Sequence, residues 1–208
     1  MSAGMSFAVV LGAYLLGSIS FSYLIVKIKE GKDVRTLGSG NAGATNVMRA
    51  SGKGPAILAL LLDVAKGVTA VTAARALGAA TPVVGGAALA VVLGHVFPIF
   101  FGFRGGKGVA TSAGALGALA PVAMLLALLV FLVMVLWKRY VSLGSMAAAA
   151  VFPLMAWAGH RLGWVEHGDP WVLISSAGIA LLILIKHRSN LERLRQGVEP
   201  RLGERRTG

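Results

Sequence analysis

The chain of 208 residues carries 20 Lys and Arg against eight Asp and Glu, a net charge of +12, yet 56% of it is hydrophobic and only 13% is charged. Soluble proteins average roughly 25% charged residues, so this composition excludes an ordinary soluble domain and indicates an integral membrane protein with basic loops. Cysteine is absent, which excludes disulfides, thiolate metal sites and cysteine nucleophiles. No basic segment precedes the first apolar run, which we therefore interpret as a membrane span and not a cleaved leader.

The predicted elements are helices that can cross a bilayer, since about 20 apolar residues in a helix span a hydrocarbon core roughly 30 Å thick. Residues 109–137 are too long for one straight span at about 1.5 Å per residue, and Pro121 interrupts them. This segment forms either one overlong span or a hairpin of two short ones. The other predicted spans are residues 5–28, 55–76, 82–101, 141–160 and 171–186.

The positions of Lys and Arg favour the hairpin, because cytoplasmic loops collect these residues. With the N-terminus outside, the hairpin keeps the basic tail from Lys186 inside and leaves only Arg75 and Arg161 outside. We therefore predict an all-α polytopic integral membrane protein of about seven transmembrane helices, with an outer N-terminus, a cytoplasmic C-terminus and one domain over residues 1–208. The polar stretches that this topology places on the cytoplasmic side are residues 35–53, 101–111, 138–145 and 186–199.

The first of these stretches contains RTLGSGNAGATNVMR, residues 35–49. Its glycines permit positive φ and a close approach of backbone N–H groups, so the loop can form an anion-binding nest. We expect Thr45 or Asn46 to cap a following helix. An ordinary polar turn is the alternative, but Ser39 and Arg49 beside the glycines favour phosphate binding. The groups it supplies are Gly38, Ser39, Gly40, Asn41, Gly43, Thr45, Asn46 and Arg49.

The second stretch, FGFRGGKGVAT, spans residues 101–111 and leads directly into an apolar helix. Two cations and four glycines before a helix are typical of a phosphate site built from backbone amides and a lysine. It is not a Walker A loop, because Phe101 stands where that motif has its first glycine and Gly108 where it has Ser or Thr. The alternative is a basic membrane anchor with flexible glycines.

The third stretch, HRSNLERLRQGVE, begins at His187 and predicts an amphipathic helix with Leu191 and Leu194 on one face. His187 and Asn190 are three residues apart and therefore share a helix face. Without further information, a lone histidine at a membrane interface is more often a polar tip reaching for water than a catalyst. The RLRQG segment is expected to face lipid headgroups.

The acidic residues indicate that the site contains no metal. Asp63 alone of the eight acids lies within a predicted span, and Lys66, three residues later on the same helix face, is its expected partner. We expect His95 to pack or hydrogen-bond within the fold. The carboxylates and histidines are too scattered to predict a magnesium, calcium or zinc site.

Together the three stretches resemble the signature motifs of the bacterial acyl-phosphate-dependent glycerol-3-phosphate acyltransferases, the PlsY family. The resemblance rests on GSGNAGATNVMR, GHVFPIFFGFRGGKGVAT and HRSNLERLRQGVE in this order, and extends to GSISFSYLI and KRYVSLGSM. It implies an enzyme of the bacterial cytoplasmic membrane that moves an acyl chain from acyl phosphate to the sn-1 hydroxyl of glycerol 3-phosphate. Membrane lipids are implied as further partners, with no cofactor and no nucleic acid.

The resemblance also implies roles for individual residues at matching motif positions. Small departures occur at Ala42, where Ile or Val is common in the family, and at Ser189, which replaces a frequent Glu or Gln. The predicted catalytic residues are Ser39, Arg49, Lys107, His187 and Asn190. The predicted phosphate-binding or substrate-binding residues are Gly40, Asn41, Gly43, Thr45, Asn46, Gly105, Gly106, Gly108 and Ser145.

The residue inventory fits a direct acyl transfer, in which cations and N–H groups stabilise the leaving phosphate. No base stands beside Ser39 in the sequence, so an acyl-enzyme is not expected. The base is left open between His187 and a phosphate oxygen of glycerol 3-phosphate. A transporter of an anionic small molecule is the main alternative, although no inverted repeat is visible. A metal-dependent phosphatidyl-alcohol transferase is disfavoured because Asp63 is a single intramembrane carboxylate.

Overall fold

The computed structural model describes residues 1–163 and 170–204, in which ten α-helices and two short 3-10 turns are formed. The chain divides into two compact units, Met1–Leu119 and Ala120–Gly208. The expectation of an all-helical chain is therefore confirmed for the described residues. Glu166, Asp169, Arg205 and Arg206, which contributed to the charge argument for topology, lie outside them.

The first unit contains six helices. Its central helix packs against the two that follow it along the chain, and the first helix packs against the fifth. The left-handed Gly31 ends the second helix, and Pro82 occupies the first turn of the fifth. The helices are α1 (Ala3–Gly17), α2 (Phe21–Glu30), α3 (Ala44–Ser51), α4 (Lys53–Ala76), α5 (Thr81–Val96) and α6 (Val109–Leu119).

Glycines bring the helices of this unit into close contact. Gly17 of α1 and Gly94 of α5 each lie against the backbone of the other helix, and Gly67 of α4 and Gly114 of α6 do the same. A Cβ atom at any of these four positions would overlap a backbone carbonyl of the partner helix. Small residues at helix crossings allow the van der Waals contact that holds membrane helices together. Part of the unusual glycine content is therefore explained by helix packing.

The first predicted span is broken in its middle. Between α1 and α2 the chain leaves the helix at Ser18, whose hydroxyl donates to the Tyr14 carbonyl at 2.9 Å. Ser20 then caps α2 by accepting a hydrogen bond from the Tyr23 N–H at 3.4 Å. Both serines are buried. Irregular backbone at membrane depth is tolerated where protein groups satisfy it, as these serines do.

The second unit contains four helices, α7 (Pro121–Lys138), α8 (Val141–Arg161), α9 (Pro170–Lys186) and α10 (Arg188–Arg195). α8 packs against both α7 and α9. Gly144 of α8 lies against Phe131 of α7, in a space where a Cβ atom would not fit without a shift. α9 and α10 are bent by 51° at His187.

The apolar helices define a multi-pass membrane protein. Five helical segments of the described chain are long and apolar enough to cross a bilayer, or six if the bent pair α9 and α10 forms one span. The segment that the sequence assigned to a hairpin is two helices, α6 and the longer α7, separated at Ala120. The predicted break is thus confirmed, and the count of seven spans stays a prediction.

Candidate active site

The glycine-rich loop between α2 and α3 rests on an apolar core in the first unit. Val34, Ala42 and Val47 are buried there, together with Val26 and Ala59. Ser39, Gly40 and Arg49 are exposed above this core, whereas Asn41 and Gly43 are half-buried. The loop therefore has a fixed base and presents the Ser39 hydroxyl at its surface, and the last turn of α3 presents the Arg49 guanidinium.

Asn46 organises the loop from below. Its Oδ1 accepts the Ser39 N–H at 2.8 Å, and its Nδ2 donates to the carbonyls of Val34 and Leu37, both at 2.9 Å. The side chain is buried. Three of its four hydrogen-bonding positions are thereby used inside the protein, so Asn46 sets the conformation at Ser39.

The expectation that Thr45 or Asn46 caps a helix is wrong. Gly43 is the N-cap of α3 and makes no side-chain hydrogen bond there, while Thr45 is exposed in the first turn. Asn46 cannot reach the cap position because its amide closes the preceding loop. The glycines also differ from one another, since Gly38 and Gly40 have φ of +55° and +73° but Gly43 is extended at −140°.

An arginine connects this loop to the second glycine-rich loop. Arg35 pairs with Asp33 through Nη2 and Oδ2 at 2.7 Å, and its Nη1 donates to the Phe101 carbonyl at 2.7 Å. The hydrogen bonds from Arg35 hold the pKa of the Asp33 carboxyl below its usual value, against a smaller opposing effect of burial. The Tyr23 and Phe101 rings also meet, with their centroids 4.8 Å apart. Within the first unit, the structure thus brings the first two motifs together.

The backbone of the second loop is tied to the end of α5. The Gly105 N–H donates to the Val96 carbonyl at 3.3 Å, and the Gly106 N–H donates to the His95 carbonyl at 3.1 Å. The prediction placed phosphate on backbone amides of this loop, but these two amides bind the protein itself. Lys107 is half-buried directly after them, and Gly108 is buried with φ of +85°.

A buried ion pair lies below the second loop. Asp63 Oδ1 and Lys66 Nζ are 2.9 Å apart on α4, so the predicted pairing is confirmed. Lys66 Nζ is also 3.0 Å from His95 Nδ1, which confirms His95 as a hydrogen-bonding residue of the fold. The sequence analysis treated the Asp63 and Lys66 pair and His95 separately. They meet because α4 packs against the end of α5.

In the second unit, Glu199 is a residue that sequence reasoning missed as a site component. Its Oε1 accepts hydrogen bonds from Ser142 Oγ and Asn190 Nδ2, both at 2.6 Å, and its Oε2 accepts one from Arg193 Nε at 2.7 Å. Burial opposes ionisation, but these hydrogen bonds outweigh it and hold the pKa of the Glu199 carboxyl below its usual value. The sequence did contain a signal for Glu199. It is an acidic residue at the end of the third motif, and it follows four Arg and Lys residues between positions 186 and 195.

His187 and Asn190 lie at the bend between α9 and α10, and both side chains are buried. His187 Nδ1 is 2.8 Å from the Ile183 carbonyl, so Nδ1 carries a proton, because a carbonyl only accepts. Ser145 is buried on α8 and donates to the Val141 carbonyl at 2.8 Å. Glu199 joins the third motif to the KRYVSLGSM segment through Ser142. The second unit therefore brings these two sequence features together.

The chemistry of the two groups of residues is that of anion recognition. The first unit offers Ser39 and Lys107 on glycine-rich loops and Arg49 in the last turn of α3, and the second offers His187 and Asn190 at a helix bend. Across residues 1–163 and 170–204, no three His, Cys, Asp or Glu side chains converge in the manner of a metal site. Cations, a hydroxyl and amides are the groups that bind phosphate oxygens.

Comparison with known proteins agrees with this chemistry. The family described as Glycerol-3-phosphate acyltransferase matches residues 7–197. A Glycerol-3-phosphate acyltransferase of Thermus thermophilus is 47% identical over 93% of both chains. That of Shouchella clausii is 46% identical over 95% of this chain and 96% of its own. This multi-pass membrane protein belongs to the glycerol-3-phosphate acyltransferase family, as the motifs predicted.

Solved structures give the same result at the level of the fold. The crystal structure of PlsY (YgiH), an integral membrane glycerol 3-phosphate acyltransferase, in its glycerol 3-phosphate form has a TM-score of 0.85 and 44% identity, with 96% of each chain covered. Its lysophosphatidic acid form has a TM-score of 0.83 and 42% identity over the same shares. The resemblance to the PlsY family is therefore confirmed along nearly the whole chain.

Proposed function

We propose that this protein transfers a fatty acyl group from acyl phosphate to the sn-1 hydroxyl of glycerol 3-phosphate, giving lysophosphatidic acid and inorganic phosphate. The observation that carries this proposal is the similarity to PlsY in a glycerol 3-phosphate form and a lysophosphatidic acid form. These two molecules differ by one acyl group, so they are the acceptor and the product of a single acyl transfer. The reaction would begin phospholipid synthesis.

The residue chemistry supports acyl phosphate as the donor. An acyl phosphate is already activated, because its leaving group is a phosphate anion. Two cations of the first unit are Arg49, in the last turn of α3, and Lys107, on the second glycine-rich loop. Cations fixed near a reacting group lower the energy of a negative charge that develops in the transition state. Binding the acceptor close to the donor carbonyl contributes further through orientation.

The proposed step is a direct displacement without an acyl-enzyme. The sn-1 hydroxyl oxygen bonds to the acyl carbonyl carbon, and the bond from that carbon to the phosphate oxygen breaks. Inorganic phosphate leaves with the electron pair, and the hydroxyl proton passes to a base. Ser39 contributes a hydroxyl that can hydrogen-bond a substrate phosphate, in keeping with its exposed position above the Asn46 contacts.

The base is either His187 or a phosphate oxygen of glycerol 3-phosphate. Since His187 Nδ1 donates to the Ile183 carbonyl, a proton taken by the neutral ring would bind at Nε2. His187→Gln separates the alternatives. If this variant keeps substantial kcat while its KM for glycerol 3-phosphate rises, His187 binds substrate and the phosphate is the base. A kcat reduced with KM unchanged would assign the base to His187.

We further propose seven spans, with the N-terminus outside, the C-terminus in the cytoplasm and both substrates bound from the cytoplasmic side of the bacterial inner membrane. Lys and Arg flank the polar loops in the pattern of cytoplasmic segments. α6 has only 11 residues, so it would cross as the shorter arm of a hairpin with α7.

The experiment uses purified protein with labelled glycerol 3-phosphate and either palmitoyl phosphate or palmitoyl-CoA, with and without EDTA. Labelled lysophosphatidic acid is expected with palmitoyl phosphate, and EDTA should not abolish it. Product from the CoA ester alone, or complete loss with EDTA, would overturn the proposal. Uptake of label into proteoliposomes without product would instead identify a transporter.

The same assay tests the predicted catalytic groups. Ser39→Ala, Arg49→Ala and Lys107→Ala should each lower kcat/KM by at least about tenfold, roughly 1.4 kcal/mol of transition-state stabilisation. Lys32→Ala, which removes an exposed loop cation outside the predicted site, is the matched control and should retain wild-type rates. Wild-type rates in all three site variants would contradict the assignment.

A further inference from the structure

Three ionisable side chains of the first unit are buried together without a role in the proposed chemistry. Asp63 and Lys66 lie on α4, and His95 lies in the last turn of α5. At most 5% of each side chain is exposed. Asp63 Oδ1 is 2.9 Å from Lys66 Nζ and 3.5 Å from His95 Nδ1. Buried ionisable groups in a membrane helix are costly and most often serve a function.

Lys66 reaches from α4 to the break between α1 and α2. Its Nζ donates to the Gly17 carbonyl at 3.0 Å and to the Ile19 carbonyl at 2.9 Å. A helix end leaves carbonyls without intrahelical partners, and such groups are expensive to leave unpaired at membrane depth. Lys66 is therefore held in position by the backbone on one side and by Asp63 on the other.

His95 Nδ1 faces both members of the ion pair. It lies 3.0 Å from Lys66 Nζ and 3.5 Å from Asp63 Oδ1. Polar contacts with α4 therefore orient the imidazole ring.

The opposite edge of the same ring lies against the second glycine-rich loop. A Cβ atom at Gly106 would overlap His95 Nε2 and the Ala42 carbonyl, and a Cβ atom at Gly105 would overlap the His95 carbonyl. The Gly106 N–H also donates to the His95 carbonyl at 3.1 Å. Ring and backbone of His95 thus form the surface on which this loop rests, immediately before Lys107.

We propose that His95 is a positioning residue for the phosphate-binding loop: oriented by Lys66 and Asp63, it sets the backbone of Gly105 and Gly106 and thereby the placement of Lys107. The glycines are required because they must approach the ring and its carbonyl. The inference rests on the proposed function, since its effect is read through acyl transfer. The buried Asp63 and Lys66 pair thereby serves the active site through His95, although it lies inside a membrane span.

The experiment compares kcat and KM of purified, full-length His95→Asn and His95→Gln with the wild type. The Asn amide can still accept from Lys66 but is too short to support Gly106, whereas the Gln amide can reach the Nε2 position. We expect His95→Asn to lower kcat/KM by at least about tenfold while the thermal midpoint in detergent stays close to wild type. His95→Gln should recover most of the loss. His160→Asn, an exposed histidine of α8, is the matched control with wild-type kinetics.

A second variant separates positioning from a purely structural role. Asp63→Asn combined with Lys66→Met removes the ion pair without leaving an unpaired buried charge. It should melt above Lys66→Met alone, which loses the same contacts to the Gly17 and Ile19 carbonyls and also leaves Asp63 unpaired. We expect its kcat/KM to stay reduced, because the ring is no longer oriented.

Two results would overturn the inference. One is wild-type kcat/KM per folded molecule in both His95→Asn and the double variant. The other is failure of all these variants to fold, which would assign the three residues to stability alone. The wild type is assayed first. If it forms no product, the proposed function is contradicted. If it is active and the variants are equally active, only the positioning role of His95 is contradicted.

Discussion

At the scale of single residues, Asn46 differs most clearly from its prediction. The sequence placed it among phosphate-binding groups or at a helix cap, on the ground that amides beside glycines and hydroxyls suit either role. In the structure it is buried and makes three hydrogen bonds to the loop that carries Ser39. Asn46 thus shapes the loop. The motif alone does not indicate this role, which depends on the backbone groups that the fold places around the amide.

Asn46→Ala should lower both stability and activity. Substitution leaves the buried Val34 carbonyl without its Asn46 donor and releases the Ser39 N–H, at a cost of about 1–3 kcal/mol for each buried group left unsatisfied. Thermal unfolding in detergent measures the first effect and kcat/KM the second. Asn46→Asp keeps an oxygen for the Ser39 N–H but places a second carboxylate oxygen against the Val34 and Leu37 carbonyls, so it should be destabilised at least as much as Asn46→Ala. An unchanged midpoint in Asn46→Ala would contradict the role.

Glu199 predicts a pH dependence of stability in the second unit. Its pKa is lowered in the folded protein, where burial is outweighed by hydrogen bonds from Ser142, Asn190 and Arg193. The carboxylate therefore stabilises the fold fully above the ordinary glutamate pKa of about 4.3, and this contribution is lost as pH falls through the lower folded value. The wild-type thermal midpoint should decrease across that acidic window.

Glu199→Gln isolates this contribution. The variant should melt below the wild type at pH 7, and the difference should shrink as pH is lowered, because the wild type then loses the same charge. Glu192→Gln is the matched control, since Glu192 is exposed on α10, and it should follow the wild type throughout. A pH-independent difference between Glu199→Gln and the wild type would show that the charge is not responsible.

At the scale of helices, the glycines explain how a chain with so few charged contacts holds its spans together. Gly67 and Gly114 allow α4 and α6 to touch along their backbones, and Gly17 and Gly94 do the same for α1 and α5. Between membrane helices there is little hydrophobic driving force, so close van der Waals contact is the main source of attraction. Composition indicated an excess of glycine, but which glycines lie at crossings depends on the pairing of helices.

Gly114→Ala tests this packing. A Cβ atom there would overlap the Val64 carbonyl on α4, so the helices must separate and the thermal midpoint should fall. Gly12→Ala on α1 is the matched control, because nothing lies within 4 Å of a Cβ atom at that position. Alanine is favoured over glycine in a helix by about 0.8–1.0 kcal/mol, so Gly12→Ala should be neutral or stabilising. Equal midpoints for the two variants would contradict the helix contact.

At the scale of the whole molecule, the sequence prediction of seven spans depends on whether α6 and α7 form a hairpin across the membrane. Helix length and apolarity qualify five segments as spans, or six with the bent pair, and α6 is shorter than a full crossing. Charge distribution supports the hairpin, because otherwise the basic tail would lie outside. Orientation in a bilayer is a separate property from the packing of the chain.

The absence of cysteine allows this topology to be tested by single cysteine substitutions at exposed positions. With a membrane-impermeant maleimide applied to intact cells, Ala80→Cys and Val122→Cys should label from outside. Lys32→Cys and Lys138→Cys should label only after permeabilisation. Labelling of Val122→Cys and Lys138→Cys from the same side would exclude α7 as a span. Labelling of Lys32→Cys in intact cells would reverse the orientation.

By itself the sequence determined the class of protein, the approximate positions of the membrane helices, the break before Pro121 and the family. These features depend on local composition, on hydrophobic length and on three motifs that are each contiguous in the chain. It also predicted the Asp63 and Lys66 pair, because residues three apart on a helix share a face.

The tertiary structure decided which of these polar residues meet. Glu199 against Ser142, and His95 against Lys66, are contacts between segments that are separate in the chain. Asn46 below Ser39 and Glu199 against Asn190 are contacts within one motif, and they form because the fold turns the chain back on itself there. The physical reason is that a buried polar group must find a partner wherever packing places one. That partner depends on which helices pack together, a property that no local pattern of residues specifies.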